Sequence, residues 1–528
     1  MSIKMKKLSV CLMVVVFLFT LLSGMIQAAP EKQLVVSVDP AAKGTSTLNP
    51  LKIKWGTSAL YALYDGLVEK GLDGKYYSAL ASSWVMSDDK MSWTFKLKKG
   101  IKFHDGSLFN AEVVKWFIEE MRKSPSDYMV QSIKEVTIND SYSVTFKMNY
   151  PDPNLLYNLS SVFMKIPSKK AVEKYGDEFG IKYVVGTGPF KFVQWIMDDR
   201  IVLKKNPDYT WGSDLANNKG PAKIDKLIIR EIKEESTRFL ELKTGGIDIA
   251  ENIPATFLDK VKEDKSLKIM PIPSRRLYYL AMNTQKEPYT GVKVRQAICL
   301  SINQEEIVKH VFMNVGKPAH TYLIDQLEES KVPDKYKIFY DLDKAKKLIA
   351  EAGWKDIDGD GILEKDGKKF IANLWTENIS EFRKVAEVVQ EELRKLGIEA
   401  KITQYDSITF KDLLKKGKQE LLIRLYGWDN ADILEWYFNS KRMGYPNVAM
   451  WNDPKSDELM EKAMTKATTW KERVKYFTDY HIYLLKNFPW CPIYLPPVNY
   501  GIRREVVMPQ VMTSIRLTGP PILDIDIK

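Results

Sequence analysis

Residues 421 to 436 read LLIRLYGWDNADILEW, an apolar run broken by Arg424, a turn at Gly427 and Trp428, then Asp429 and Asp432 three positions apart. Two carboxylates beside tryptophan suit more than one chemistry. As an acid–base pair flanking a scissile bond they would serve a glycosidase, whose two acids stand at a defined separation. As fixed negative charge in a site sheltered from water they would hold an ammonium group through a charge-assisted hydrogen bond next to an aromatic face. They also suit a purely local role, as an Asx turn or a helix cap for the following ILEWYF. Arg424 poses the matching question, because an unpaired charge in an apolar strand is expensive. It meets either a carboxylate of a ligand, or Asp429, Asp432 or another internal acid.

Other reactive groupings are scarce. The four histidines, His104, His310, His320 and His481, are far apart in the chain, none lies in an H-E-x-x-H arrangement, and there is no G-x-S-x-G. VGTGPFKF, residues 185 to 192, contains G-x-G without a third glycine or a following helix, so a turn with close backbone approach near a hinge is expected in place of a phosphate cradle. In DIDGDGILEKDGKK, residues 356 to 369, Asp356, Asp358, Asp360 and Gly361 match the start of an EF-hand loop. The twelfth position is Gly367, where a bidentate glutamate is required, and the Asp/Gly richness also suits a plain turn. Neither a cofactor nor a metal site is expected. The 13 tryptophans and 26 tyrosines are mostly core, with some set at strand ends to line a cleft.

The elements that carry these residues follow from periodicity. QLVVSV (33 to 38), MSWTFKL and VTINDSYSVTFKM alternate as strands, the last as a hairpin turning at Asn139-Asp140, and FNAEVVKWFIEEMRKS carries a helical pattern with Asn110 as N-cap. In the second half KFIANLW (369 to 375) is a strand. SEFRKVAEVVQEELRKLG places Phe382, Val385, Ala386, Val389, Leu393 and Leu396 on one helical face, with Ser380 as N-cap and Gly397 as stop. IEAKI and ELLIRLYGW are further strands. Strand, helix, strand makes a βαβ unit and hence a parallel sheet, whose ligands bind beyond the carboxyl ends of the strands. Trp375 and Trp428 fall at such ends.

Met1 to Lys7 carries three lysines ahead of an apolar stretch that ends in SGMIQAAPEK, the pattern of an export signal cleaved after Ala28. Cys11 lies early in the apolar core, where a lipid-modified cysteine should follow it, so no lipid anchor is expected. Loss of those lysines takes the formal charge from +11 to +8, with both signs spread along the chain, which excludes a nucleic-acid footprint. The remaining chain of about 500 residues needs two or three structural units. Cys299 and Cys491 could pair in an oxidising compartment, but both sit in apolar surroundings, so two buried free thiols are the favoured expectation.

Seven stretches in order carry a resemblance. ALASSWVMSDDKMSWTFKLKKGIKFHDGSLFNAEVVKW (79 to 116) is the most specific, followed by GTGPFKFVQW, LKKNPDYTWG, ELKTGGIDI, LAMNTQKEPYTGVKVRQAICLSINQEEIV, KAKKLIAEAGWKDIDGDG and EVVQEELRKLGIEAKI. Together they resemble the family 5 extracellular solute-binding proteins of ABC importers, which include oligopeptide, dipeptide and nickel-chelate binders. Under it His104 and Asp105 look like part of a structural hairpin, and the loop at 356 to 361 looks like a variable turn.

The resemblance implies an α/β, two-lobed periplasmic-binding-protein-like fold of type II, cluster C, with an extra α+β domain. Lobe I would be 29–57, 185–280 and 498–528, the extra domain 58–184, and lobe II 281–497. It also implies an exported, non-enzymatic, monomeric receptor that passes a short peptide to a membrane permease. An oligosaccharide or a chelated metal is the alternative cargo, and a secreted hydrolase using Asp429 and Asp432 the remote one. Peptide-binding relatives carry G-W-x-A-D, whose aspartate pairs with the ligand's α-amino group. GWDNAD fits with one residue inserted, making Asp432 the counterpart, or with a deletion, making it Asp429; Asp432 is favoured because Ala431 precedes it. Trp428, Arg424 and Trp375 complete the expected ligand site.

Overall fold

The computed structural model describes residues 31–38, 46–53, 56–509, 512 and 517–528; the expected export signal lies outside them. A seven-stranded sheet runs in the order Leu267–Ile272, Val498–Arg503, Ile249–Ala250, Gln33–Val38, Lys226–Glu231, Arg200–Lys205, Phe190–Ile196. A six-stranded sheet runs Lys317–Pro318, Trp490–Leu495, Arg276–Met282, Leu421–Gly427, Ile371–Glu377, Glu399–Tyr405. An antiparallel four-stranded sheet is built from Ala81–Met86, Ser92–Leu97, Ser143–Met148 and Ile133–Asp140.

The expected βαβ unit is present. Ile371–Glu377 pairs in parallel with both Glu399–Tyr405 and Leu421–Gly427, and the helix Ser380–Lys395 buries Phe382, Val385, Ala386, Val389 and Leu393 against them. Ser380 is not the N-cap. Strand pairing continues to Asn378, whose N–H donates to the Tyr405 carbonyl at 2.8 Å, so Ile379 takes the cap position and Ser380 is already helical. Asn110 does cap its helix, accepting from the Val113 N–H at 3.1 Å. The hairpin turns just after the expected dipeptide, because Asp140 Oδ1 accepts from the Tyr142 N–H at 2.7 Å and moves the tip beyond it.

Two large cores divide the molecule. One runs unbroken from Leu34 and Val36 of the seven-stranded sheet to Phe95, Val144 and Phe146 of the four-stranded sheet, joining these parts into a first body. The other, from Leu277 to Tyr494, belongs to the six-stranded sheet and its helices, the second body. The backbone passes between the bodies twice, from Leu267–Ile272 into Arg276–Met282 and from Trp490–Leu495 into Val498–Arg503. Among the described residues no helix is long and apolar enough to cross a membrane.

Gly186 and Gly188 form the close-approach turn expected of VGTGPF. A Cβ on Gly186 would lie 2.0 Å from the Leu63 carbonyl oxygen, and one on Gly188 2.5 Å from that of Ala62. His104 clamps this turn, its Nδ1 accepting from the Gly186 N–H at 3.3 Å and its Nε2 donating to the Gly188 carbonyl at 2.9 Å. Burial pushes its imidazole down to about 4, so the ring is a neutral structural bridge.

The expectation of two free thiols is overturned, for Cys299 and Cys491 are joined by a disulfide. Helix Val292–Ser301 lies on strand Trp490–Leu495 and brings the two Cα atoms to 4.9 Å, although 192 positions separate them in sequence. Peptide mapping without reductant is expected to recover the 299–491 cross-link. The double variant Cys299→Ala/Cys491→Ala is expected to lose about 2–4 kcal/mol in a urea titration. Unlinked peptides from material kept oxidised would contradict this pairing.

Candidate functional site

Strand Leu421–Gly427 ends at the seam between the two bodies. Its last residue lies opposite Arg276, and the Trp428 N–H donates to the Arg275 carbonyl at 2.9 Å, so the pairing runs one residue past the strand into the first crossing segment. Trp428 is half-buried and packs against both cores. Its ring meets Tyr157 of the first body edge-on at 6.2 Å.

Asp429 faces that body. Its Oδ1 accepts from the Tyr157 hydroxyl at 2.7 Å and lies 3.5 Å from Arg275 Nη1; Lys70 Nζ is 3.9 Å from Oδ2 and 3.4 Å from the Asp429 carbonyl. Lys70 also lies 4.9 Å from the centre of the Tyr157 ring. Two cations and a phenol therefore surround one carboxylate. Burial, followed by the charges of Asp429 and Asp432, holds the Tyr157 phenol well above its usual range, so it remains a donor.

Asp432 has a different setting. It precedes the helix Ile433–Phe438 but makes no capping bond; its Oδ1 accepts from Trp428 Nε1 at 2.7 Å instead. The Asx turn belongs to Asn430, whose Oδ1 accepts from the Asp432 N–H at 3.1 Å. Burial pushes the Asp432 carboxyl up to about 6, helped by Glu435 and Asp429 and opposed by Arg473 and the indole bond. Tyr128 of the first body stands close by, edge-on to Trp436 at 5.3 Å, with its own phenol raised by burial and by the Asp432 charge.

Arg424 meets an internal acid. Its Nη2 is 3.9 Å from Glu377 Oε2, and its guanidinium lies over Tyr445 at 5.4 Å and Phe410 at 5.7 Å, all within the second body. Trp375 is buried at 8% exposure in the second core, edge-on to Tyr405 at 5.0 Å. The structure thus brings Trp428, Asp429 and Asp432 together at the seam, pairs Arg424 with Glu377 and buries Trp375 in the second core. It adds Lys70, Tyr128, Tyr157 and Arg275. Of these only Arg275, one of two adjacent arginines before a buried strand, carried a signal in sequence.

The loop at Asp356, Asp358 and Asp360 brings its exposed carboxylates within 4.8 Å of one another. Lys369 already supplies a cation there, 3.0 Å from Asp358, bonded to Asp360 and 3.6 Å from Glu364. Backbone N–H groups of Gly359 and Gly361 fill the Asp356 carboxylate. Lys369 and the backbone thus already answer these carboxylates within the chain.

The profile described as bacterial extracellular solute-binding proteins, family 5, middle part, matches residues 75–444. The oligopeptide-binding protein AppA of Bacillus subtilis is 29% identical over 441 residues, 79% of this chain and 78% of its own length. NikZ of Campylobacter jejuni, solved in complex with Ni(L-His), is 25% identical with a TM-score of 0.78, covering 91% of this chain and 95% of that one. DppA of Helicobacter pylori, an ABC transporter-associated periplasmic binding protein in complex with the peptide STSA, is also 25% identical, with a TM-score of 0.75 over 94% of this chain and 98% of its own.

The raised Asp432 carboxyl has a stability signature. Its folded value of about 6 exceeds the unfolded value of about 4, so the folded state binds more protons between them and stability falls as pH rises through that window, by up to about 3 kcal/mol. Asp432→Asn keeps an acceptor for the indole and removes the penalty. Its melting temperature without ligand is expected to exceed wild type at pH 7.5 and to match it at pH 4. A constant difference at both pH values would exclude this titration.

Proposed function

The chain belongs to the bacterial extracellular solute-binding proteins of family 5, and from that premise we propose that it captures a short peptide between its two lobes and delivers it to an ABC permease. The observation that supports this reading is the contrast between the two carboxylates. Asp429 is already met by Tyr157, Arg275 and Lys70. Asp432 is held by one indole bond in a half-buried setting that disfavours its charge, and a ligand ammonium group would reverse that penalty. We therefore assign Asp432 as the anchor of the peptide's α-amino group and Trp428 as its aromatic neighbour.

Closure of the lobes excludes water and strengthens the ion pair, and contacts to both lobes favour the closed state over the open one. The peptide-binding relatives AppA and DppA support this cargo. The pair is a poor acid–base couple, because Asp429 is engaged by two cations and a phenol and is not poised toward a bond. A receptor without catalytic activity, exported and working as a monomer, fits these features.

A second reading keeps the receptor and changes the cargo. NikZ holds Ni(L-His), and Lys70 with Arg275 would suit the carboxylates of such a chelate. Thermal shifts with short peptides, oligosaccharides and Ni(L-His) separate the classes.

Titration calorimetry tests the anchor. Asp432→Asn is expected to weaken short peptides about ten- to hundredfold, the value of a charge-assisted bond of about 1.5–3 kcal/mol. N-acetylated peptides are expected to lose a similar factor on the wild-type protein. Binding at pH 6 should release protons, seen as a heat that depends on the buffer. Equal affinity for free and acetylated peptides would overturn the assignment.

A further inference from the structure

Two of the side chains that the first body sends across the seam come from one short stretch. Asn154 and Tyr157 lie three positions apart at the start of helix Leu155–Ser160, a spacing that puts them on one face. Tyr157 donates to Asp429 at 2.7 Å, and Asn154 Oδ1 accepts from Asn430 Nδ2 at 2.7 Å. Asn154 and Asn430 are both buried. These are bonds between protein groups, made across two bodies that share no core.

The second lobe presents Asn430 in a single orientation. Arg473, 3% exposed and bonded to the equally buried Glu329 at 3.2 Å, donates through Nη2 to Asn430 Oδ1 at 2.7 Å. A guanidinium can only donate, and the Asp432 N–H donates to the same oxygen. The Asn430 amide must therefore turn its Nδ2 outward, toward Asn154. Phe477, with its ring centre 4.3 Å from the guanidinium, holds Arg473 in place. Burial raises the carboxyl of Asp152 in the first body, opposed by Ser132, by the Asn154 N–H and, across the seam, by the charge of Arg473.

We propose that Asn154–Asn430 and Tyr157–Asp429 form a latch that stabilises the closed lobes independently of any ligand, so that these side chains set the affinity for every ligand by a common factor. The physical basis is population. A ligand that binds only the closed form shows an affinity reduced by the fraction of protein already closed. The latch raises that fraction without touching cargo. It rests on lobe closure as described above and not on the chemistry of the ligand.

The test uses Tyr157→Phe, which removes one hydroxyl, and the double variant Tyr157→Phe/Asn154→Ala, both altered only in the first body. Small-angle scattering without ligand is read first. The radius of gyration of the double variant is expected to rise above wild type, with Tyr157→Phe between them. Affinities for Ala-Ala-Ala, Ser-Thr-Ser-Ala and Ni(L-His) are read next, and those that bind are expected to weaken by one shared factor of about tenfold in the double variant. Unchanged scattering overturns the latch, as does weakening of one probe but not another, which would mark these residues as ligand contacts. If none of the three binds, the scattering decides the latch alone, and the cargo reading is what has failed.

Discussion

A carboxylate set at the meeting of two hydrophobic cores must be neutralised wherever water is withdrawn, and Asp429 occupies that place. Losing hydration costs several kcal/mol per ion unless partners replace the water. The partners come from three separate pieces of chain. Lys70 ends a short strand, Tyr157 sits on a short helix of the first body, and Arg275 lies on the crossing segment itself. Since the Arg275 carbonyl also receives the Trp428 N–H, hinge backbone and site backbone are hydrogen-bonded neighbours. A change of lobe angle therefore has to be felt at Asp429.

Three residues further on, the same physics gives the opposite result. Asp432 receives one indole N–H, while Arg473 lowers and burial raises its carboxyl, and burial prevails. Two aspartates that look interchangeable in sequence differ in which of them has its charge already answered within the protein.

Local pattern carried most of the fold and little of the site. The helix Ser380–Lys395 buries the face its periodicity marks, and the flanking strands pair in parallel as a βαβ unit requires. What local pattern could not carry are contacts made by distant segments. Cys299 and Cys491 are brought together by a helix lying on a strand. Arg424 finds Glu377 on a neighbouring strand, and that partner depends on sheet order. Trp375 shows a subtler limit, since proximity to a strand end does not decide which way a side chain points; its ring packs on Tyr405 in the core. Nothing in PDPNLLYNLSS distinguishes Tyr157 or Asn154 from the other polar residues of a helix start.

The irregular spacing after Gly427-Trp428 acquires a physical meaning from this arrangement. Two residues, Asp429 and Asn430, stand between Trp428 and Ala431 where the resemblance leads one to expect one. Both send their side chains across the seam, to Tyr157 and to Asn154. Ala431 is fully buried, and Asp432 follows it with its carboxylate on the Trp428 indole. A one-residue insertion in a turn rotates the residues within it and leaves those beyond it free to return to register. Here the turn holds the seam contacts, and the Ala-Asp pair beyond it keeps the register that the proposed anchor requires. That argues for Asp432 over Asp429 as the ligand's counter-charge on grounds separate from either residue's ionisation. It also places the seam contacts and the proposed anchor on one short loop, so a change in lobe closure moves the backbone that carries Asp432.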